Sequence, residues 1–122
     1  MLQFEVEWPP KQLSPNARGH WSVKSRYARR YRAACHARAH NARVASGVKL
    51  QAGQRLSLSL VFCPPDRRKR DDDNLVAAFK SGRDGIADAL GIDDSQFVTT
   101  FRFGDVQKGG AVLVEVGVQD AD

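Results

Sequence analysis

Four short segments in which apolar and polar residues alternate constrain the fold of this chain most strongly. In a β-strand successive side chains point to opposite faces, so alternation predicts strands with one face buried. These segments are residues 2–8, 55–62, 97–103 and 112–118. Paired prolines follow the first two segments and end them, because proline lacks the backbone N–H that a sheet requires. The pattern therefore predicts a β-sheet.

Two stretches with helical periodicity lie between the predicted strands. Residues 25 to about 46 are rich in Ala and Arg and contain no Pro or Gly, and small residues recur there every three or four positions. Residues 74–90 carry an apolar stripe with the same spacing, interrupted by Gly82. Glycine costs about 1 kcal/mol in a helix relative to Ala, so the second helix is predicted to be weak at its centre.

The order of these elements predicts the fold class. It reads β-α-β-α-β-β, which indicates a single small α/β domain over residues 1–122 with a mixed sheet and two helices. Residues 9 to about 23 are predicted to form a loop. The turn sequence Lys108-Gly109-Gly110 predicts that the last two strands form an antiparallel hairpin.

Basic and acidic residues are segregated along the chain. Between Trp8 and Pro65 there are eleven Lys or Arg and no Asp or Glu, whereas twelve of the fourteen acids lie from Asp66 onward. Such segregation is typical of a protein that binds a polyanion, although a basic surface that serves only solubility remains an alternative. The chain has no long apolar run and only two isolated cysteines. A cytoplasmic protein without membrane contact is expected.

The strongest local feature is a basic run that leads into three aspartates. Arg67, Arg68, Lys69 and Arg70 precede Asp71, Asp72, Asp73 and Asn74, between the end of a strand and the start of a helix. An aspartate there can cap the helix. If the segment is extended, Asp71 and Asp73 point to the same side and offer two oxygen ligands suited to Mg²⁺, with Mn²⁺ as a substitute.

Two further groups extend this acidic site. Asp93 and Asp94 follow the second helix and offer a third ligand, although a helix of about 25 Å separates them from Asp71. Lys80 and Asp84 lie on one polar helix face with Asp73 and Asp88. This face indicates either a solvated surface with a Lys80–Asp84 ion pair or a lysine placed beside a phosphoryl oxygen.

The chain resembles the RusA-type Holliday junction resolvases. The resemblance covers most of the chain and is carried by Trp8-Pro9-Pro10 with Asn16 and Trp21, by Asp71-x-Asp73-Asn74 after the basic run, and by Asp93-Asp94-Ser95-Gln96. It implies a homodimeric, Mg²⁺-dependent endonuclease that cuts four-way DNA junctions by paired nicks in opposed strands.

The resemblance also implies roles for individual residues. Asp71, Asp73 and Asp94 would be the catalytic metal ligands, with Asp93 as the competitor for the third position. The family pattern has a lysine four residues after the second aspartate, where this chain has Ala77. A one-turn insertion would make Lys80 its substitute, with Asp84 four residues further. The cations expected to contact DNA are Lys24, Arg29, Arg30, Arg67, Arg68, Lys69 and Arg70.

Two rival functions remain open at this point. In the first, the chain is a noncatalytic DNA-binding module whose aspartates only cap the second helix. In the second, it is a metal-dependent nuclease that acts on flaps, replication forks or RNA. The selectivity for one type of branch depends on the spacing of two sites in a dimer, which no motif in one chain encodes.

Overall fold

The computed structural model describes residues 1–119 and confirms an α/β fold with a mixed four-stranded sheet. The elements are β1 (Leu2–Glu7), α1 (Trp21–Ser46), β2 (Leu56–Cys63), α2 (Asp72–Ala78), α3 (Lys80–Leu90), β3 (Phe97–Phe103) and β4 (Ala111–Val118). Two single 3₁₀ turns, Lys11–Leu13 and Asp94–Gln96, precede α1 and β3.

The strand order is β1-β4-β2-β3, so the predicted C-terminal hairpin is wrong. β3 is parallel to β2, whereas β4 lies between β1 and β2 and is antiparallel to both. After β3 the chain crosses the end of β2, where the N–H of Gly104 donates to the Phe62 carbonyl at 2.9 Å. In this position β4 forms hydrogen bonds along both of its edges, which pairing with β3 at the end of the sheet would not allow.

The second predicted helix is two helices that meet at Phe79. The break lies at Phe79, which is buried against the rings of Phe62 and Tyr31, and not at Gly82, where the sequence predicts a weak centre. α2 also begins two residues earlier than predicted, at Asp72. α1 begins at Trp21, four residues earlier than predicted, because the His20 imidazole accepts the backbone N–H of Ser22 at 3.1 Å.

The helices cover one face of the sheet and enclose the core. The phenol of Tyr31 on α1 donates to the carbonyl of Glu7 at 2.6 Å, and its burial raises its pKa. α1 approaches α3 closely because Gly85 has no side chain: a Cβ there would lie 2.2 Å from the Arg32 carbonyl oxygen. Among residues 1–119, no helix combines the length and apolar character needed to cross a membrane.

Candidate functional site

A groove follows the α2 and α3 helices and contains most of the sequence-predicted acidic residues. It consists of three cavities of about 220, 230 and 330 Å³. Ala78 lines the first and second cavities, and Asp84 lines the second and third, so the cavities adjoin. The opposite wall is formed by residues of the Lys11–Leu13 turn and of α1, notably Leu13, Ala28 and Arg32. We call this feature the α2–α3 groove.

The first cavity brings together two motifs that are distant in sequence. Trp8, Pro9 and Pro10 line it together with Arg70, Asp71 and Asn74. The sheet topology explains this, since β1 and β2 run in the same direction and both end at this edge of the sheet. The loops that follow them therefore meet.

Asp71 is the N-cap of α2. Its Oδ1 accepts the backbone N–H of Asp73 at 2.9 Å and that of Asn74 at 3.3 Å. The condition for Asp71 and Asp73 to point to one side of an extended segment is therefore not met: Asp71 is extended, but Asp72 and Asp73 already belong to the first helical turn. The first backbone N–H groups of a helix have no partner within the helix, so a carboxylate that accepts hydrogen bonds from them stabilises the start of the helix. This hydrogen bonding favours the helical conformation from Asp72 onward.

Asp73 is exposed in the first turn of α2 and forms no ion pair with any described residue. A carboxylate in the first turn of a helix is favoured by the positive end of the helix dipole. Its position beside the capping residue thus has a structural reason, and its oxygens remain accessible to a ligand.

Two of the four cations before Asp71 are used within the loop. Arg70 donates to Asp66 Oδ1 at 2.8 Å and lies 5.6 Å from the Trp8 ring centroid, and only 20% of its side chain is exposed. Arg68 also pairs with Asp66, and hydrogen bonds from Arg68 and Arg70 lower the pKa of that carboxyl. Arg67 and Lys69 are exposed and form no ion pair with residues 1–119.

Lys80 and Asp84 lie in the middle of the groove, where both line the second cavity. Lys80 and Asp84 do not form an ion pair with each other in the described structure. The predicted Lys80–Asp84 ion pair is therefore wrong. Asp88, one turn further, pairs with Arg32 of α1 instead. The cavity of Lys80 adjoins that of Asp71 through Ala78.

Asp93 and Asp94 lie at the far end of the groove. Asp93 caps the 3₁₀ turn by accepting the Ser95 N–H at 2.9 Å, which lowers the pKa of its carboxyl. Asp94 Oδ2 lies 3.3 Å from Arg83 Nη1, and Arg83 also donates to Oγ1 of Thr99 at 3.2 Å. Arg83 is not among the sequence-predicted site residues, because its contacts join α3 to the 3₁₀ turn and to β3, and no local periodicity signals them.

The three predicted metal ligands do not come together in one chain. Asp71 follows the C-terminal end of β2, whereas Asp94 precedes the N-terminal end of β3. The two strands are parallel over seven residue pairs, from Leu56 with Phe97 to Phe62 with Phe103, which places the two ends roughly 20 Å apart. Within residues 1–119, no group of three His, Cys, Asp or Glu side chains is arranged to hold a metal ion. A Mg²⁺ or Mn²⁺ site made of Asp71, Asp73 and Asp94 therefore does not fit a single chain.

The cations of α1 fall into two groups. In the half that packs on the core, Arg32 pairs with Asp88 and Arg38 pairs with Glu7. We call the first ten residues of the helix, Trp21–Arg30, the α1 arm. None of its four cations forms an ion pair with a described residue; these are Lys24, Arg26, Arg29 and Arg30. The arm is thus the more electropositive half of α1.

Comparison with known proteins identifies a relative but no described family. No protein-family model matches the chain. An uncharacterized protein of Xylella fastidiosa (strain Temecula1) is 44% identical over 117 residues, which cover 95% of this chain and 76% of the relative. The alignment therefore includes both ends of the α2–α3 groove and the α1 arm. At this identity and coverage, the chain belongs to the same family as the Xylella protein.

Proposed function

We propose that this chain is a metal-dependent endodeoxyribonuclease of the RusA type that cuts four-way DNA junctions as a homodimer. The observation that carries the proposal is the first cavity of the groove, where the Trp8-Pro9-Pro10 motif meets Arg70, Asp71 and Asn74. These belong to two of the three motifs on which the resemblance depends. The fold thus joins them at one surface site rather than leaving them on separate elements.

The charge distribution supports DNA as the substrate. Arg29 and Arg30 are exposed on the α1 arm and have no acidic partner among the described residues. Ala28 of the same arm lines the second cavity with Lys80. Cations beside the groove would hold a phosphate backbone along it, since neutralising phosphates releases counterions and drives binding.

The separation of the carboxylates supports a site that two chains share in a dimer. In phosphodiester hydrolysis a bound divalent cation supplies an activated water and neutralises developing charge. One chain presents Asp71 at one end of the groove, with Asp73 exposed two residues further along the chain, and Asp94 at the other end, so a complete carboxylate set requires a second chain. Paired nicks in opposed strands likewise require two sites.

β3 is the edge that we propose for pairing. Among residues 1–119 it is the last strand of the sheet and hydrogen-bonds only to β2, and its Phe101 and Phe103 are 42% and 39% exposed. An exposed apolar edge strand is a template for pairing with another chain. Antiparallel pairing of two β3 strands would turn the Asp94 end of one chain toward the Asp71 end of the other.

The test is cleavage of a synthetic four-way junction beside a linear duplex of the same sequence. The native chain is compared with Asp73→Asn, with Asp94→Asn and with the control Asp105→Asn, which lies between β3 and β4 and belongs to neither acidic motif. We expect Mg²⁺- or Mn²⁺-dependent paired nicks in the native chain and the control. We expect none with chelator or in Asp73→Asn and Asp94→Asn, with junction binding retained in both variants.

Mixing the two inactive variants tests the dimer. If each site combines Asp73 of one chain with Asp94 of the other, a heterodimer of Asp73→Asn and Asp94→Asn has one intact site and regains single nicks. If each site lies within one chain, the mixture stays inactive, which would contradict the shared site. Junction binding by a folded native dimer without any cleavage would contradict the nuclease proposal itself.

A noncatalytic DNA-binding module is the second candidate. It is favoured by the capping roles of Asp71 and Asp93, each of which has a structural reason to be acidic. This function predicts salt-sensitive junction binding that is the same with metal and with chelator.

A further inference from the structure

The α1 arm contributes no fully buried residue to the core. The buried residues of α1 are Tyr31, Cys35 and Ala39, so none of its first ten residues is buried. Ten helical residues span about 15 Å. The arm therefore extends the helix beyond the residues that α1 buries in the core.

Contacts between the helices give the direction of the arm. α1 and α3 run in the same direction, since the Tyr31 ring lies beside Gly82 and Arg43 donates to the Ala89 carbonyl. Ala28 lines the second cavity with Ala77 and Ala78, which places the arm level with α2. Trp21 lies seven residues before Ala28, or about 10 Å further toward the Asp71 end of the groove.

Trp21 is the most exposed large apolar side chain of the described residues, at 74%. Its indole lies beside the His20 ring, with the two centroids 5.4 Å apart, and the nearest cation along the helix is Lys24. Aromatic side chains in a basic setting bind unpaired bases by stacking, whatever the sequence, because every base has a π-face.

We propose that Trp21 is a base-stacking residue that binds a nucleotide left unpaired at a DNA branch, while the cations of the α1 arm hold the adjoining phosphates. The inference rests on the proposed function and specifies what distinguishes a branch from a duplex. A fully paired duplex offers no base face to the indole, so stacking favours branched DNA.

The charge of the arm favours DNA over a second copy of this chain as the partner. From Trp8 to Pro65 the chain contains no acidic residue, and none of the four arm cations forms an ion pair with a carboxylate among residues 1–119. Two such arms would repel one another, whereas a polyanion neutralises them.

The experiment measures binding of the full chain, in chelator, to two fluorescent DNAs. One is a duplex and the other is the same duplex with three unpaired nucleotides at its centre. The variants are Trp21→Ala and Trp21→Phe, and the control is Val44→Ala, which removes another exposed apolar side chain of α1. We expect Trp21→Ala to weaken binding to the DNA with unpaired nucleotides at least about fivefold and to leave duplex binding unchanged. Trp21→Phe and Val44→Ala should stay within about twofold of the native chain.

Tryptophan fluorescence gives a second measurement. Addition of the DNA with unpaired nucleotides should quench the native chain more than Trp21→Phe, which retains only Trp8. Two results would overturn the stacking inference and leave the proposed function intact. The first is that Trp21→Ala binds the DNA with unpaired nucleotides as tightly as the native chain does. The second is that this DNA binds the native chain without quenching the fluorescence of Trp21. Failure of the native chain to bind either DNA would overturn both. Loss of self-association in Trp21→Ala with unchanged DNA binding would assign the arm to the dimer instead.

Discussion

The carboxylate of Asp71 accepts the backbone N–H of Asp73 at 2.9 Å, so the two aspartates of the Asp-x-Asp motif are joined through a helix cap. The cap directs α2 away from the end of β2 and leaves the Asp73 side chain exposed. One carboxylate thereby stabilises the helix while its neighbour faces solvent. This relationship separates the structural role of the motif from the chemical role that we propose for it.

Removing the charge of Asp71 should leave the stability of the fold nearly unchanged but abolish cleavage of DNA junctions. Asn caps a helix about as well as Asp, so Asp71→Asn should unfold in urea within a few tenths of a kcal/mol of the native chain, whereas Asp71→Ala should lose about 1 kcal/mol. Both variants should lose junction cleavage if the carboxylate is catalytic. A native unfolding midpoint for Asp71→Ala would show that the cap contributes nothing, and cleavage by Asp71→Asn would remove this residue from the catalytic set.

The unpaired cations of the α1 arm should dominate the salt dependence of DNA binding. Replacing both Arg29 and Arg30 with Ala should reduce the slope of log affinity against log salt by up to about two, since each phosphate contact contributes about 0.9. Arg38→Ala is the matched control, because Arg38 lies on the same helix as Arg29 and Arg30 but pairs with Glu7 of β1. Equal slopes in the double variant and the native chain would place the DNA elsewhere.

The close contact between α1 and α3 predicts a sharp response to one added methyl group. In Gly85→Ala the new Cβ would meet the Arg32 carbonyl oxygen at 2.2 Å, so the helices must separate. Overpacking lowers the free energy of unfolding by about 1–3 kcal/mol, whereas replacing Gly by Ala in a helix raises it by about 1 kcal/mol. The net effect is therefore a loss of stability. Urea unfolding should show Gly85→Ala to be less stable than the native chain.

Ser81→Ala is the control for this contact, since it lies on the same helix and its buried Oγ has no hydrogen-bond partner among the described residues. It should unfold at the native urea concentration or above. A Gly85→Ala variant as stable as this control would mean that the two helices can separate without cost.

The loop before Asp71 should make folding stability depend on pH. Hydrogen bonds from Arg68 and Arg70 lower the pKa of the Asp66 carboxyl in the folded chain. In the unfolded chain the pKa of an aspartate carboxyl is about 3.9. A lowered folded-state pKa gives a stabilising contribution that is complete above the unfolded pKa and is lost as the pH falls through the folded pKa. The native chain should therefore exceed Asp66→Asn in stability at neutral pH, and the difference should shrink below about pH 4. A difference that is constant from pH 7 to pH 3 would contradict this.

Local pattern was sufficient for most of the fold. Alternation located all four strands, and helical periodicity located α1 and the α2–α3 pair, because burial of one face follows directly from residue spacing. It did not predict the break at Phe79, a residue whose ring contacts Phe62 of β2. It also did not predict that β4 lies between β1 and β2. The strand order is a matter of pairing between residues far apart in the chain.

The candidate site divides in the same way. The sequence by itself determined which charged groups the chain carries and in what order. These groups are the acidic Asp71-x-Asp73-Asn74 segment, the acidic pair Asp93 and Asp94, and the basic first half of the chain. Only the tertiary structure decided where these groups lie. The parallel β2–β3 pair places Asp71 and Asp94 at opposite ends of one groove, and Arg83 of α3 forms an ion pair with Asp94 that no spacing reveals. The physical reason is that residue identity sets charge and local conformation, whereas the distance between two side chains depends on how the strands and helices between them pack.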